Sequence, residues 1–159
     1  MAVIYETSNF IVESRERPLL SREEGGHIRI RIKDESITDR TKLDPQVAIE
    51  LMRLSMIVGE AFQIAMNNRG VNVIKVNYQD MCNWAWKENR PPYLHYHIFG
   101  RVMGAIKQPF PESVYLPDRS TGFYDSFIPL NEEDNKEILR QIEIISSQSK
   151  YDLSNWGLK

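Results

Sequence analysis

Two histidines spaced two residues apart are the residues of this sequence that most clearly point to a chemical role. His95 and His97 lie in the run 93–101, which has the composition of a β-strand. Side chains two apart on a strand point to the same face, so Tyr93, His95 and His97 form one row. Three roles fit such a row: a hydrogen-bonded structural core, a metal site, or attack on phosphorus.

The residue types argue against a metal site and against serine hydrolase chemistry. A zinc site needs three or four ligands, and His27 is the only other histidine. The glycine and glutamate spacing of a cupin site is missing, and so is the Gly-x-Ser-x-Gly pattern of a nucleophilic serine. The sequence therefore predicts no metal and no cofactor, and it leaves a structural and a nucleophilic role open.

A nucleophilic histidine fits the row in chemical terms. A neutral imidazole attacks phosphorus and forms a covalent phosphoramidate, which water then opens. Such a site needs one rigidly held attacking ring and further donors for the charge that develops on the phosphate oxygens. His95 and His97 together supply an attacking ring and a neighbouring donor.

Length and composition favour an ordinary globular protein with one domain, 1–159. The 20 basic and 22 acidic residues give no case for binding nucleic acid or a membrane surface. No apolar run approaches the roughly 20 residues of a membrane span. A single cysteine, Cys82, cannot form an internal disulfide, which favours a reducing compartment. We therefore predict a cytoplasmic location.

The order of predicted elements indicates an α+β domain with a mostly antiparallel sheet of about five strands. A long helix starts at the Asp44-Pro45 cap and ends before Gly70, and Asn131 caps a C-terminal helix over about 132–147. The segment 79–92 is predicted to be a loop. Strands are predicted over 3–6, 9–13, 27–33, 71–78 and 93–101.

For two of these elements, the question is what packs against their side chains. The strand at 27–33 alternates isoleucines with His27, Arg29, Arg31 and Lys33, and we expect the charged side chains to face solvent. The apolar stripe of the long helix is wider than one sheet face requires. Either a partner subunit or deeper burial in the chain's own core accounts for that width.

The run 93–101, Tyr-Leu-His-Tyr-His-Ile-Phe-Gly-Arg, resembles the signature of the histidine triad superfamily. That signature is His-φ-His-φ-His-φ-φ, often followed by Gly and a basic residue. The opening hairpin, the Gly-His strand at 26–33, the long helix and the strand reaching Asn77 follow the family's order. The resemblance covers about 3–101, and 102–159 is a C-terminal extension.

The resemblance implies roles for individual residues. His95 takes the position of the middle histidine, the nucleophile at the α-phosphorus, and His97 that of the last histidine, which contacts phosphate. Asn77 matches the polar residue that helps hold the site. Tyr93 stands where the family has its first histidine, and its phenol can still hydrogen-bond.

A second departure from the family concerns the Gly-Gln-Ser or Gly-Gln-Thr segment, which the longer loop 81–92 replaces. Lys87 and Asn83 of this loop are candidates for the missing phosphate donors. Trp84 and Trp86 are candidates either for stacking on a base or for packing the loop. For His27 we expect a structural role.

The resemblance implies a homodimer that acts as a nucleotide hydrolase or nucleotidyl transferase. Dinucleoside polyphosphates and nucleoside phosphoramidates are the implied substrates, and the chemistry requires no metal. The changed triad position motivates an alternative, a nucleotide-binding protein with weak or no turnover.

Overall fold

Capping residues set where the two long helices begin. In the computed structural model, which describes residues 2–158, α1 (Pro45–Asn68) starts after Asp44, whose carboxylate accepts a hydrogen bond from the Gln46 N–H at 2.9 Å. Helix α3 (Glu132–Ser146) starts after Asn131, which forms a reciprocal capping box with Asp134. Both starts are local sequence signals, and both lie where the sequence predicts them.

Five strands form one antiparallel sheet, which confirms the predicted fold class. The spatial order is β1-β2-β3-β5-β4, so β3 and β5 lie in the interior and β1 and β4 form the edges. The strands are β1 (Ala2–Glu6), β2 (Phe10–Ser14), β3 (His27–Ile32), β4 (Lys75–Gln79) and β5 (His95–Arg101).

One face of the sheet packs against α1 and α3, which lie side by side, and α3 contacts β1 directly. Isoleucines of β3, Leu54 and Phe62 of α1, and Ile138 and Ile142 of α3 share one buried core. The width of the α1 stripe is therefore accounted for mainly by the chain's own α3. Met52 and Ile64 of α1 remain 56% and 37% exposed.

The opposite face of the sheet is covered by the irregular segment 102–131. Val114, Tyr124 and Phe127 of this segment pack with Phe99 of β5 in a second buried cluster. Alternation along β5 puts His95 and His97 on the same face as Phe99. The segment that sequence patterns describe least thus covers the face that carries the histidines.

Three strand predictions need correction, and the first concerns β5, which begins at His95 and not at 93, so that Tyr93 precedes the strand. Strand β4 begins at Lys75 and not at 71, because side-chain amides of Gln63 and Asn67 bond the Val73 carbonyl and hold that backbone against α1. The charged face of β3 does not face solvent at its first half, since His27 and Arg29 are buried. Period-two alternation identifies a face, but it does not show what covers that face.

Short helical elements complete the chain. A single turn, α2 (Trp84–Lys87), interrupts the segment predicted as a loop. Five 3-10 turns lie at Arg22–Glu24, Arg40–Lys42, Arg119–Thr121, Ser149–Tyr151 and Leu153–Trp156.

Candidate functional site

A cavity of about 250 Å³ opens above the histidine row. His95, His97 and Tyr93 line it on one side, and side chains around α2 and the turn at Arg119–Thr121 line it on the others. The strand register explains which side chains form the floor of the cavity. Arg29 of β3 pairs directly with His97 of β5, so its side chain projects from the same face of the sheet. The sheet supplies a rigid base, and the two loop segments supply the walls.

The predicted row exists, and its rings are in contact. The ring centroids of His95 and His97 lie 4.8 Å apart at an interplanar angle of 76°. The Tyr93 ring lies 5.1 Å from that of His95. His27, which pairs with Phe99 across β3 and β5, also joins the row, with its ring 5.2 Å from that of His97.

A backbone hydrogen bond fixes the tautomer of His27, and the His27 ring in turn fixes that of His97. The Leu19 N–H donates to Nδ1 of His27 at 3.1 Å, so that nitrogen carries no proton. The proton of the neutral ring therefore lies on Nε2, which donates to Nδ1 of His97 at 3.0 Å. His97 in turn carries its proton on Nε2, as a hydrogen-bond donor on the side facing away from His27.

His95 has the opposite tautomer. Its Nδ1 lies 2.9 Å from the backbone carbonyl oxygen of Tyr93, which can only accept, so Nδ1 carries the proton. The Cys82 thiol also approaches this carbonyl, at 3.2 Å. Nε2 of His95 is left with a free lone pair and has no hydrogen-bond partner within the described residues 2–158. One ring thus offers a nucleophilic nitrogen and its neighbour offers a donor.

All three rings are neutral at pH 7. Burial lowers the pKa of His95 from 6.5 to about 4, against the opposing effect of its bond to the Tyr93 carbonyl. Burial, followed by repulsion between the rings, lowers the pKa values of His27 and His97 well below their ordinary range. Neutrality is the state in which a histidine acts as a nucleophile.

The other predicted site residues divide into two groups. Asn83 and Trp84 line the cavity beside the row. Asn77 and Lys87 are not among its lining residues: Asn77 accepts a hydrogen bond from Arg101 at 2.9 Å, and Lys87 forms an ion pair with Asp118. Trp86 lies outside the cavity and is 77% exposed.

Several residues of the site escaped the sequence argument. His27 is more than a packing residue, because it sets the tautomer of His97. Arg29 and Arg15 line the cavity floor, and Arg119 reaches it from the covering segment. The alternation of β3 places Arg29 on the histidine face, which is a usable signal, but nothing local marks Arg119.

Comparisons with known proteins add to this geometry. No protein-family model matches the chain, and no curated protein does. Among solved structures, it is similar to a Hit-like protein involved in cell-cycle regulation from Bartonella henselae, solved with an unknown ligand. The TM-score is 0.55 at 16% identity, over 91% of this chain and 85% of that one.

A second solved structure agrees. It is a Zn-bound histidine triad family protein from Mycobacterium smegmatis, with a TM-score of 0.57, 17% identity, and coverage of 92% of this chain and 88% of that one. The chain has the histidine triad fold. Likeness at this identity establishes the fold, and the activity has to be argued from the site.

Two further structural findings bear on function. Among residues 2–158, no group of three or more His, Cys, Asp or Glu side chains is arranged to hold a metal ion. None of the helices in that range is long and apolar enough to cross a bilayer.

Proposed function

We propose that this protein is a nucleotide hydrolase or nucleotidyl transferase in which His95 attacks the α-phosphorus. The opposed tautomers of His95 and His97 carry the proposal. They provide an unprotonated Nε2 and a protonated Nε2 side by side in a cavity lined by arginines. Dinucleoside polyphosphates and nucleoside phosphoramidates are the proposed substrates.

The reaction has two steps. Nε2 of His95 forms a bond to phosphorus, and the bond from phosphorus to the leaving oxygen or nitrogen breaks. The Nε2–H of His97 donates to a phosphoryl oxygen and stabilises the charge that develops there. Water then attacks phosphorus and releases the imidazole, or another acceptor takes the nucleotidyl group.

Tyr93 supports His95 through its backbone carbonyl, a function that does not depend on an imidazole side chain. The guanidinium groups of Arg29 and Arg90 lie 5.7 and 5.9 Å from the centroid of its ring. We propose that the phenol faces the phosphate oxygens and that Asn83 and Trp84 contact the nucleotide. In this proposal Asn77 and Lys87 act indirectly, by holding the walls of the cavity. Asn77 does so through its hydrogen bond with Arg101, and Lys87 through its ion pair with Asp118.

Trapping of the covalent intermediate tests the proposal. The protein is incubated at neutral pH with a nucleoside phosphoramidate and analysed by intact mass. We expect a nucleotidyl adduct on wild type and on His97→Gln, which keeps an amide donor, and none on His95→Ala. Nucleotide binding by wild type with neither adduct nor turnover would establish the alternative, a nucleotide-binding protein that has lost catalysis.

We also propose a homodimer. Strand β4 is an open sheet edge, and Tyr78 on it and Ile74 before it are 45% and 39% exposed. Met52 and Ile64 of α1 add exposed apolar side chains. Light scattering coupled to size exclusion checks the assembly, and a mass of one chain at micromolar concentration contradicts it.

We also propose a cytoplasmic location, because the single thiol, that of Cys82, is unpaired. Fractionation of cells that express the full-length protein tests it.

A further inference from the structure

Three guanidinium groups converge on one buried carboxylate beneath the cavity. Glu13 of β2 is fully buried, and Arg29 donates to its Oε1 through Nη2 and, at 2.8 Å, through Nε. Nε of Arg31 lies 3.1 Å from Oε2, and Nη1 of Arg15 lies 3.6 Å from Oε1. One buried carboxylate thus faces three guanidinium groups, of which Arg31 also lies 3.9 Å from Oε1 of Glu35.

Two of these guanidinium groups reach the cavity, together with Arg119 and with Arg90, which is paired with Glu88. Arg15, Arg29 and Arg119 line it, whereas Arg31 is not among the lining residues. Arg29 is only 7% exposed, and it donates to Glu13 through Nε and Nη2. Arg119 donates to the Arg17 carbonyl at 2.9 Å, and no carboxylate in the described part of the chain pairs with it.

The remaining charges of the cavity do not offset this excess. Glu88 lines the cavity but forms an ion pair with Arg90. The three histidines are neutral and add no charge. Burial and then repulsion from Arg29 lower the pKa of Arg15, and burial and then repulsion from Arg17 lower that of Arg119. A desolvated site with surplus positive charge favours an anion.

We propose that Arg15, Arg29 and Arg119 form a second anion subsite, which binds a further phosphate group of the ligand beside the phosphoryl group held by His95 and His97. The inference rests on the proposed function for the identity of the first group. Arg29 lies directly opposite His97 in the sheet register, so a ligand with two phosphate groups spans neighbouring residues. A ligand with a single phosphate leaves the subsite unfilled.

Calorimetric titration of the full-length protein with inorganic pyrophosphate and with orthophosphate tests the subsite. We expect wild type to bind pyrophosphate about tenfold or more tightly than orthophosphate, since the second phosphate gains charge-assisted hydrogen bonds. Arg29→Gln should abolish most of that preference. Arg31→Gln is the matched control, because Arg31 shares the Glu13 carboxylate without lining the cavity, and it should keep the preference.

Three outcomes overturn the subsite: no preference for pyrophosphate in wild type, an unchanged preference in Arg29→Gln, or an equal loss in Arg29→Gln and Arg31→Gln. The last would show a diffuse positive field and no built site. If Arg29→Gln does not fold, as judged by its thermal transition, Arg119→Gln decides, because Arg119 carries no ion pair that the fold depends on. There, a reduced preference supports the subsite and an unchanged one refutes it.

His95→Ala separates this inference from the proposed function. The pyrophosphate preference should survive in His95→Ala, although the covalent adduct is lost. An adduct on wild type without pyrophosphate preference would refute the subsite alone. A preference without any adduct would refute catalysis alone.

Discussion

Replacing His27 by phenylalanine removes the hydrogen-bond relay beneath the site while filling most of the same space. His27 is 2% exposed and packs its ring 4.7 Å from that of Phe99, so an aromatic replacement fits. Two buried groups lose their partners, the Leu19 N–H and Nδ1 of His97. An unsatisfied buried group costs about 1–3 kcal/mol, so we expect the free energy of unfolding to fall by roughly 2–6 kcal/mol for the two groups.

The same substitution releases the tautomer of His97. Without His27, the proton of His97 is no longer held on Nε2. Loss of this positioned donor to the phosphoryl oxygen should slow adduct formation about 10- to 100-fold. Urea unfolding measures the change in the free energy of unfolding. Nitrogen-15 NMR of the imidazoles reports the His97 tautomer, and adduct kinetics report the rate. His27→Gln, which offers both an acceptor and a donor, should recover part of both losses.

The tautomer argument is refuted if wild-type His97 carries its proton on Nδ1. It is equally refuted if His27→Phe leaves the His97 nitrogen shifts and the adduct rate unchanged. A loss of stability alone would support only a packing role for His27.

Four further predictions concern pH, the buried carboxylate and the segment that Arg101 holds. Because burial lowers the pKa of His95 to about 4, the rate of adduct formation should stay level from pH 7 to about 5 and fall below that, as stopped-flow assays check. The unfolded chain binds more protons than the folded one between about pH 6.5 and 4, so the free energy of unfolding should decrease as the pH falls through that window. Glu13→Gln leaves the buried Arg29 guanidinium without its carboxylate and should destabilise the fold by about 3–5 kcal/mol in urea unfolding; a change below 1 kcal/mol would contradict this. Arg101→Met removes hydrogen bonds to the carbonyls of Gln108, Pro109 and Glu112 and should raise hydrogen exchange in 108–116 more than in β5.

The elements that could be predicted from sequence are those with local causes. The start of α1 depends on Asp44 and its own first turn, and the shared face of His95 and His97 depends on the two-residue repeat of a strand. Strand order, by contrast, places Glu13 beside Arg29 and Arg29 beside His97. These pairings connect residues that are distant in sequence, and no local pattern encodes them.

The same distinction explains the parts of the site that sequence did not reveal. The expectation that the charged face of β3 meets solvent was wrong because segment 102–131 folds over that face. His27 gains its role from two remote partners, the Leu19 N–H and the His97 ring. Arg119 reaches the cavity only through the irregular segment that carries it, for which periodicity gives no information.

The structure of the wild-type protein with a bound nucleoside monophosphate tests the central claim most directly. The account predicts phosphorus within about 3.5 Å of Nε2 of His95, in line for attack, with Nε2 of His97 donating to a phosphoryl oxygen. A phosphate bound only by the arginines, or one facing His97 with Nε2 of His95 turned away, would contradict it.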